Sequence, residues 1–169
     1  ASVAAQPQRC HVVGCYALGK AQRVIALLRA AGYTAPIYLH GAMLKLCDYY
    51  SSAGIALGAL KPALVADKHQ LHGQIVLAPP SALRDRWSRR LHDPVRCQAS
   101  GWMAIKQRAK QNQIELPLVL SDHADWTELS TTIKATGATR VTVMHGNEPA
   151  LVHWCHSQGI AAEALAELA

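Results

Sequence analysis

The 169 residues contain no phenylalanine, and tyrosine and tryptophan together make up only 5 % of them. Half the chain is nevertheless apolar, so its core must be built from aliphatic side chains, and the disordered and fibrous classes are excluded. No apolar run approaches the roughly 20 residues that cross a bilayer. The longest lie at 24–28 and 117–120, so no membrane segment is expected. Residues 1–9 lack the charged head, apolar centre and small-residue cleavage site of a secretory signal, and a cytoplasmic location is the expectation. No C-x-x-C pair occurs. The five cysteines, Cys10, Cys15, Cys47, Cys97 and Cys155, are odd in number and scattered through apolar runs, which predicts reduced buried thiols rather than a disulfide framework. There is no internal repeat and no low-complexity tract.

Acidic residues are also scarce, 11 against 17 lysines and arginines, giving a net charge of +6. An excess of that sign favours an anionic partner. Its distribution says more: Arg84, Arg86, Arg89, Arg90, Arg96, Lys106, Arg108 and Lys110 are opposed within their segment only by Asp85 and Asp93. That run is a candidate phosphate-facing surface, with a solvated helix face as the plainer alternative.

Short runs rich in valine, isoleucine and leucine alternate with helical patterns. Strands are predicted at 11–16, 36–39, 74–78, 116–121 and 140–144, and helices at 17–31, 42–52, 81–91, 124–134 and 149–158. Strands that are apolar throughout, rather than alternating, imply a sheet covered on both faces and hence mostly parallel. The fold class is α/β, a mostly parallel sheet with flanking helices. Residues 54–73 and 106–113 break the rhythm, and a soft boundary is placed near Gln113. Residues 1–8 read as the tail of a helix, so the chain is expected to begin in mid-domain.

Residues 14–21, running from Gly14 through Gly19 and Lys20 to Ala21, follow a strand and match the phosphate-loop pattern G-x-x-x-x-G-K up to its last position. The pattern then needs a hydroxyl for Mg²⁺, which Ala21 lacks, so nucleotide hydrolysis is disfavoured. A weaker role survives, in which Lys20 and the helix N-terminus hold a phosphate of a polymer.

Two histidines stand where predicted strands stop, His123 in the run Ser121-Asp122-His123-Ala124-Asp125-Trp126 and His145 in Met144-His145-Gly146-Asn147. In parallel sheets ligands bind outside the carboxyl ends of strands. If the strands before them are neighbours, the two imidazoles share one site. Asp122 or Ser121 is expected to cap the following helix, and Asp125 to accept a hydrogen bond from His123 and fix its tautomer. His40, at another strand end, is at most a substrate contact. The pairs His69/His72 and His153/His156 read as solvated.

These residues, with Y-A-L-G-K-A-Q-R at 16–23, P-I-Y-L-H-G at 36–41, A-P-P-S at 78–81 and S-G-W-M at 100–103, resemble the metallo-β-lactamase-fold nucleases of the β-CASP group, most closely the bacterial DNA-ligase-associated exonucleases. The resemblance runs along nearly the whole chain. It implies that residues 1–113 belong to an N-terminally incomplete β-CASP domain and 114–169 to the C-terminal part of a metallo-β-lactamase αββα domain. His123 would contact the scissile phosphate and, with Asp125, assist the leaving group, while His145 would be a ligand of the second zinc of a two-metal centre. Lys20, Arg23, His40, Arg86, Arg89, Arg90 and Ser121 would line the substrate path.

The family's H-x-H-x-D-H motif, a further ligand histidine, the bridging aspartate and the E-S-T glutamate are not in this sequence. The chain is therefore expected to be the C-terminal half of a zinc-dependent DNA exonuclease acting on single strands or ends of DNA, associated with a DNA ligase and with repair, and inactive alone because a zinc site needs at least three protein ligands. Two alternatives stand beside that reading. One is an RNA-processing nuclease of the same fold, and the other is a nucleic-acid-binding module that grips phosphates without chemistry.

Overall fold

The computed structural model describes residues 1–66 and 69–165. Its sheet is organised around β1 (His11–Gly14), every residue of which is buried. Parallel neighbours lie on both sides of it, β4 (Ile75–Ala78) and β5 (Val95–Ala99), each in register from His11 to Gly14. Beyond β4 come β2 (Ile37–Leu39) and then β3 (Leu60–Pro62); beyond β5 comes β6 (Leu116–Leu118). The order is β3-β2-β4-β1-β5-β6, and all pairs are parallel. The chain builds outward from β1 to one side, returns to β4, and crosses β1 to finish on the other side. An α/β sheet of parallel strands is what the apolar runs predicted.

Side chains alternate across the sheet because successive residues of a strand point to opposite faces. Val13, Ile37, Leu39, Ile75, Leu77, Val95 and Cys97 enter one core. It is covered by α2 (Lys20–Ala30), which buries Ala21, Val24 and Ile25 on one stripe, and by α3 (Gly41–Ser52), which buries Met43 and Cys47 one turn apart. Cys10, Val12, Tyr38, Val76 and Ala78 enter the other core. There the cover is built from short 3₁₀ turns, whose Ala63, Leu71, Ala82 and Leu83 pack onto the strands. The last of these comes so close that a Cβ on Gly14 would lie 2.6 Å from Leu83 Cδ1, which is why the strand ends on a glycine.

A four-residue helix, α1 (Ser2–Ala5), precedes β1, and α4 (Lys106–Gln111) joins β5 to β6. Together these elements form one compact unit, Ala1–Asp122. The second unit, His123–Ala169, contains α5 (Trp126–Thr136), β7 (Arg140–Val143), α6 (Glu148–Ser157) and β8 (Ala161–Ala164). Strands β7 and β8 pair in parallel with each other, and Val143, Cys155 and Ala164 are buried apolar residues among those described in this unit. Helix α5 begins with a capping box, in which Asp125 Oδ1 accepts the N–H of Glu128 at 2.8 Å and Glu128 Oε2 accepts that of Asp125 at 3.1 Å. It ends at Gly137 in the left-handed conformation.

Three expectations are corrected. Residues 81–91 are not an α-helix: they form two 3₁₀ turns, Pro80–Leu83 and Ser88–Arg90, with Asp85 closing a local turn onto the N–H of Trp87. Strand β5 was not expected, because Arg96 and Gln98 interrupt its apolar pattern; their side chains are half-buried while Val95, Cys97 and Ala99 are buried. The strands expected at 116–121 and 140–144 do not share a sheet, since β6 pairs with β5 and β7 with β8. The polar break at 106–113 is α4, and the break at 54–73 contains the edge strand β3.

The N-terminal segment is tied down by Arg9. Its Nη1 and Nη2 donate to the two carboxylate oxygens of Glu115 at 2.9 and 3.0 Å, and its Nε lies 3.1 Å from Asp93 Oδ2. The hydrogen bond from Arg9 holds the Glu115 carboxyl below the ordinary carboxylate range. A depressed folded pKa contributes stability that is present above the unfolded value of about 4.3 and lost as pH falls through the folded one. Glu115→Gln is therefore expected to be less stable than the parent at neutral pH, with the difference shrinking as pH drops below about 4. Urea unfolding of both proteins across that range checks it; a difference independent of pH would dismiss the ion pair as its source.

Candidate functional site at the carboxyl edge of the sheet

Because the strands of the first unit are parallel, their carboxyl ends lie at one edge, and the segments singled out in the sequence leave from those ends. The run 16–23 follows β1, His40 follows β2, Pro79 and Pro80 follow β4, Ser100 to Met103 follow β5, and Ser121 and Asp122 follow β6. Backbone bonds hold several of them there: Cys15 N–H to Ala78 O at 2.9 Å, His40 N–H to Leu77 O at 2.8 Å and Ser100 N–H to Leu118 O at 3.1 Å. Gly101 is packed against Ser121, whose Cβ would lie 3.2 Å from a Cβ added at the glycine. Segments far apart in sequence are thus brought to one rim.

The charged centre of that rim is Lys20. Its side chain is only 3 % exposed, and Nζ lies 3.3 Å from Asp122 Oδ2 and 5.2 Å from the ring centre of Tyr16. Arg23, one turn along α2, reaches the same carboxylate at 3.6 Å and donates from Nη1 to Ser121 O at 2.8 Å. Two cations of α2 thus converge on one aspartate, with Arg23 and Asp122 open to solvent. At the start of α2 the backbone donors are partly used within the turn. The N–H groups of Lys20 and Ala21 are closed by the carbonyls of Leu18 and Tyr16, and Lys20 is turned onto a carboxylate of the same unit. Asp122 is not the cap of the following helix; Asp125 takes that role. That an acidic residue is rare in so basic a chain was the one signal that could have singled out Asp122.

The remaining candidates occupy varied settings. His40 caps α3 through Nδ1, which accepts the Ala42 N–H at 3.1 Å, and its ring meets Trp87 edge-on at 4.8 Å between centres. Arg86 and Arg89 are exposed, and Arg90 is exposed with Nη2 donating to Leu64 O at 3.3 Å. Arg84 is bonded to Asn112 Oδ1, and Arg96 to Gln113 Oε1 at 3.1 Å. The basic run is therefore spread over turns, β5 and α4 rather than along one helix face. After β5, Trp102 stands 57 % exposed with the Arg108 guanidinium 3.9 Å over its ring.

In the second unit, His123 and Asp125 precede α5 and His145 precedes α6; both histidines are exposed. Asp125 spends Oδ1 on its cap. His145 adopts φ +66°, a conformation that costs a non-glycine residue on the order of 1 kcal/mol, and its N–H is held by Glu148 Oε1 at 2.7 Å. Such outliers gather at functional positions.

The fit to zinc is partial. His145 offers one exposed imidazole, but no three histidine, cysteine, aspartate or glutamate side chains come together among the described residues. All five cysteines are buried and free, as the scattered pattern predicted. Burial pushes the thiols of Cys15 and Cys97 up to about 12 and that of Cys10 to about 11, disfavouring the reactive thiolate. The described residues by themselves do not make a zinc site. No described helix is long and apolar enough to cross a membrane.

With this geometry in hand, comparison finds the chain similar to a probable DNA ligase of Opitutus terrae, 28 % identical over 152 residues, which are 90 % of this chain and 14 % of that protein. The chain thus spans about one seventh of that relative's length. No family model matches the chain, and no solved structure matches it.

The ion pair makes a testable asymmetry. Asp122→Ala strands an ammonium that is almost wholly buried, whereas Lys20→Met leaves an aspartate that keeps Arg23 and water. With Asp122 34 % exposed, the first change is expected to cost about 1–3 kcal/mol and the second under about 1 kcal/mol. Lys20→Met should also rescue most of the loss in Asp122→Ala. Urea denaturation of the three variants reads this out, and equal costs for the two single changes would show that Lys20 does not depend on Asp122.

Proposed function

We propose that this chain is a nucleic-acid-processing part of a larger DNA-handling protein, namely the C-terminal half of a zinc-dependent DNA nuclease of the β-CASP type. The observation that supports it most is the likeness, over 90 % of the chain, to part of a protein named as a probable DNA ligase. The part matched is small, which suits an appended processing module as well as a ligating one. The sheet's carboxyl rim, with the exposed Arg23 beside Asp122, and the basic turns at Arg86, Arg89 and Arg90 supply a surface on which a phosphodiester chain would lie.

In this reading Arg23 and the exposed arginines contact phosphates, and Ser121 lies at the same rim. Lys20 acts indirectly, by holding Asp122 at the end of the first unit. His123 protonates the departing oxygen, the work of a positioned general acid. Asp125, one oxygen of which remains after capping, orients that ring. His145 contributes one ligand to a zinc centre whose other ligands come from residues not present in this chain. Residues 1–113 are assigned to the β-CASP insertion and 114–169 to the return into the metallo-β-lactamase domain, and DNA ligase is the expected functional associate.

The experiment is hydrolysis of DNA by a full-length protein containing this region, assayed with zinc analysis on variants. His145→Ala should lower both zinc content and rate, since the loss of one of a few ligands weakens the metal. His123→Ala should retain zinc and lose about 10²–10⁴-fold in rate, with a smaller loss on a phosphodiester whose leaving group needs no proton. Asp125→Asn should show a milder loss of the same kind. Absence of hydrolysis in the full-length protein, with DNA binding intact, would replace this reading by the binding module; hydrolysis of RNA alone would change the substrate.

A further inference from the structure

We propose that Trp102, backed by Arg108, is a stacking plate for one unpaired base of a single-stranded nucleic acid, whose phosphates pass Lys106 and Lys110. The inference rests on the nucleic-acid reading above and deepens it by naming the side chain on which a base would stack. Trp102 is the residue where the chain turns out of β5 at the carboxyl edge, and its indole is 57 % exposed although a ring of that size usually goes inside. Arg108 occupies one face of the ring at 3.9 Å. A guanidinium at that distance stabilises the indole's orientation by cation–π attraction, and the exposed part of the ring can take a planar group.

The plate is held before any ligand arrives. Ser100 Oγ accepts the backbone N–H of Trp102 at 3.3 Å, the adjacent Met103 is buried, and Gly101 is packed against Ser121, so the backbone that presents the ring is fixed. Little side-chain entropy is then lost on binding. Charge selects the partner: residues 100–114 contain Lys106, Arg108 and Lys110 and no acidic residue, and all three cations are exposed on α4, Arg108 against the indole and Lys106 and Lys110 one turn apart from each other. An exposed ring backed by one cation, on a segment with two further cations and no acidic residue, matches the alternation of bases and phosphates in a single strand. In a duplex the base faces are already stacked on one another, so only a frayed or unpaired base can use the plate.

The test uses the 169-residue chain and three labelled probes: an oligothymidylate, an abasic deoxyribose-phosphate oligomer of equal length, and a blunt duplex. Trp102→Ala should weaken binding to oligothymidylate by about 5- to 100-fold, the usual worth of one base stack, and leave abasic binding nearly unchanged. Trp102→Phe should keep most of the affinity. Lys106→Gln with Lys110→Gln should weaken both oligomers alike and flatten the salt dependence. Circular dichroism of each variant establishes that the fold is retained. Equal loss of Trp102→Ala on both oligomers, no loss on either, tighter binding to the blunt duplex, or a parent protein that binds neither oligomer would each overturn the proposal. Self-association abolished by Trp102→Ala would overturn it too, by placing the ring in a protein interface. These are metal-free binding measurements, so they can fail while hydrolysis by the full-length protein succeeds, and the reverse.

Discussion

Parallel pairing is the constraint on which everything at the rim depends. Strand β1 has hydrogen-bonded neighbours on both sides, β4 and β5, that arrive some sixty and eighty residues later in the chain. Parallel neighbours cannot be joined by a tight hairpin, so every return must run back along a face of the sheet before the next strand begins. The returns consume most of the chain, and the strand exits are left together at one edge. Segments that share nothing in sequence, such as the lysine after β1 and the aspartate after β6, meet there because their strands point the same way.

The Lys20–Asp122 contact turns that gathering into a fixed geometry. An ammonium taken almost entirely out of water needs a partner, and the partner lies about a hundred residues away, at the point where the chain leaves the first unit. Sheet pairing brings the two ends close, and the charge requirement holds them there. Arg23, sharing the same carboxylate from the solvent side, is kept near Ser121 rather than sampling freely. Positive charge at the rim is therefore placed by folding.

How much of this could be read from residues follows from burial. Strands buried on both faces, such as Val12-Val13 and Val76-Leu77, are apolar throughout and were legible as strands of a parallel sheet. Strand β5 was hidden because Arg96 and Gln98 lie half-buried toward a face covered by turns, where polar side chains reach out past thin cover. The turns at 80–90 have a helical composition but are broken by Pro79, Pro80 and the local bond of Asp85, so propensity was overridden by turn chemistry. The candidate residues were legible as motifs; their partners were not. Nothing local to Lys20 announces an aspartate a hundred positions later, and nothing local to Trp102 announces that Arg108 covers one of its faces.

The sheet's borders have a consequence of a different kind. Each outermost strand, β3 and β6, is three residues long and contains a proline, Pro62 and Pro117. A proline lacks the N–H that a continuing ladder requires, and three residues give an incoming strand little length on which to register. A sheet assembled from contacts this distant in sequence folds slowly enough for its borders to be exposed to other chains in the meantime. Blunt borders of this sort disfavour edge-to-edge templating between molecules, so a strongly apolar sheet is guarded at the strands where it would otherwise continue.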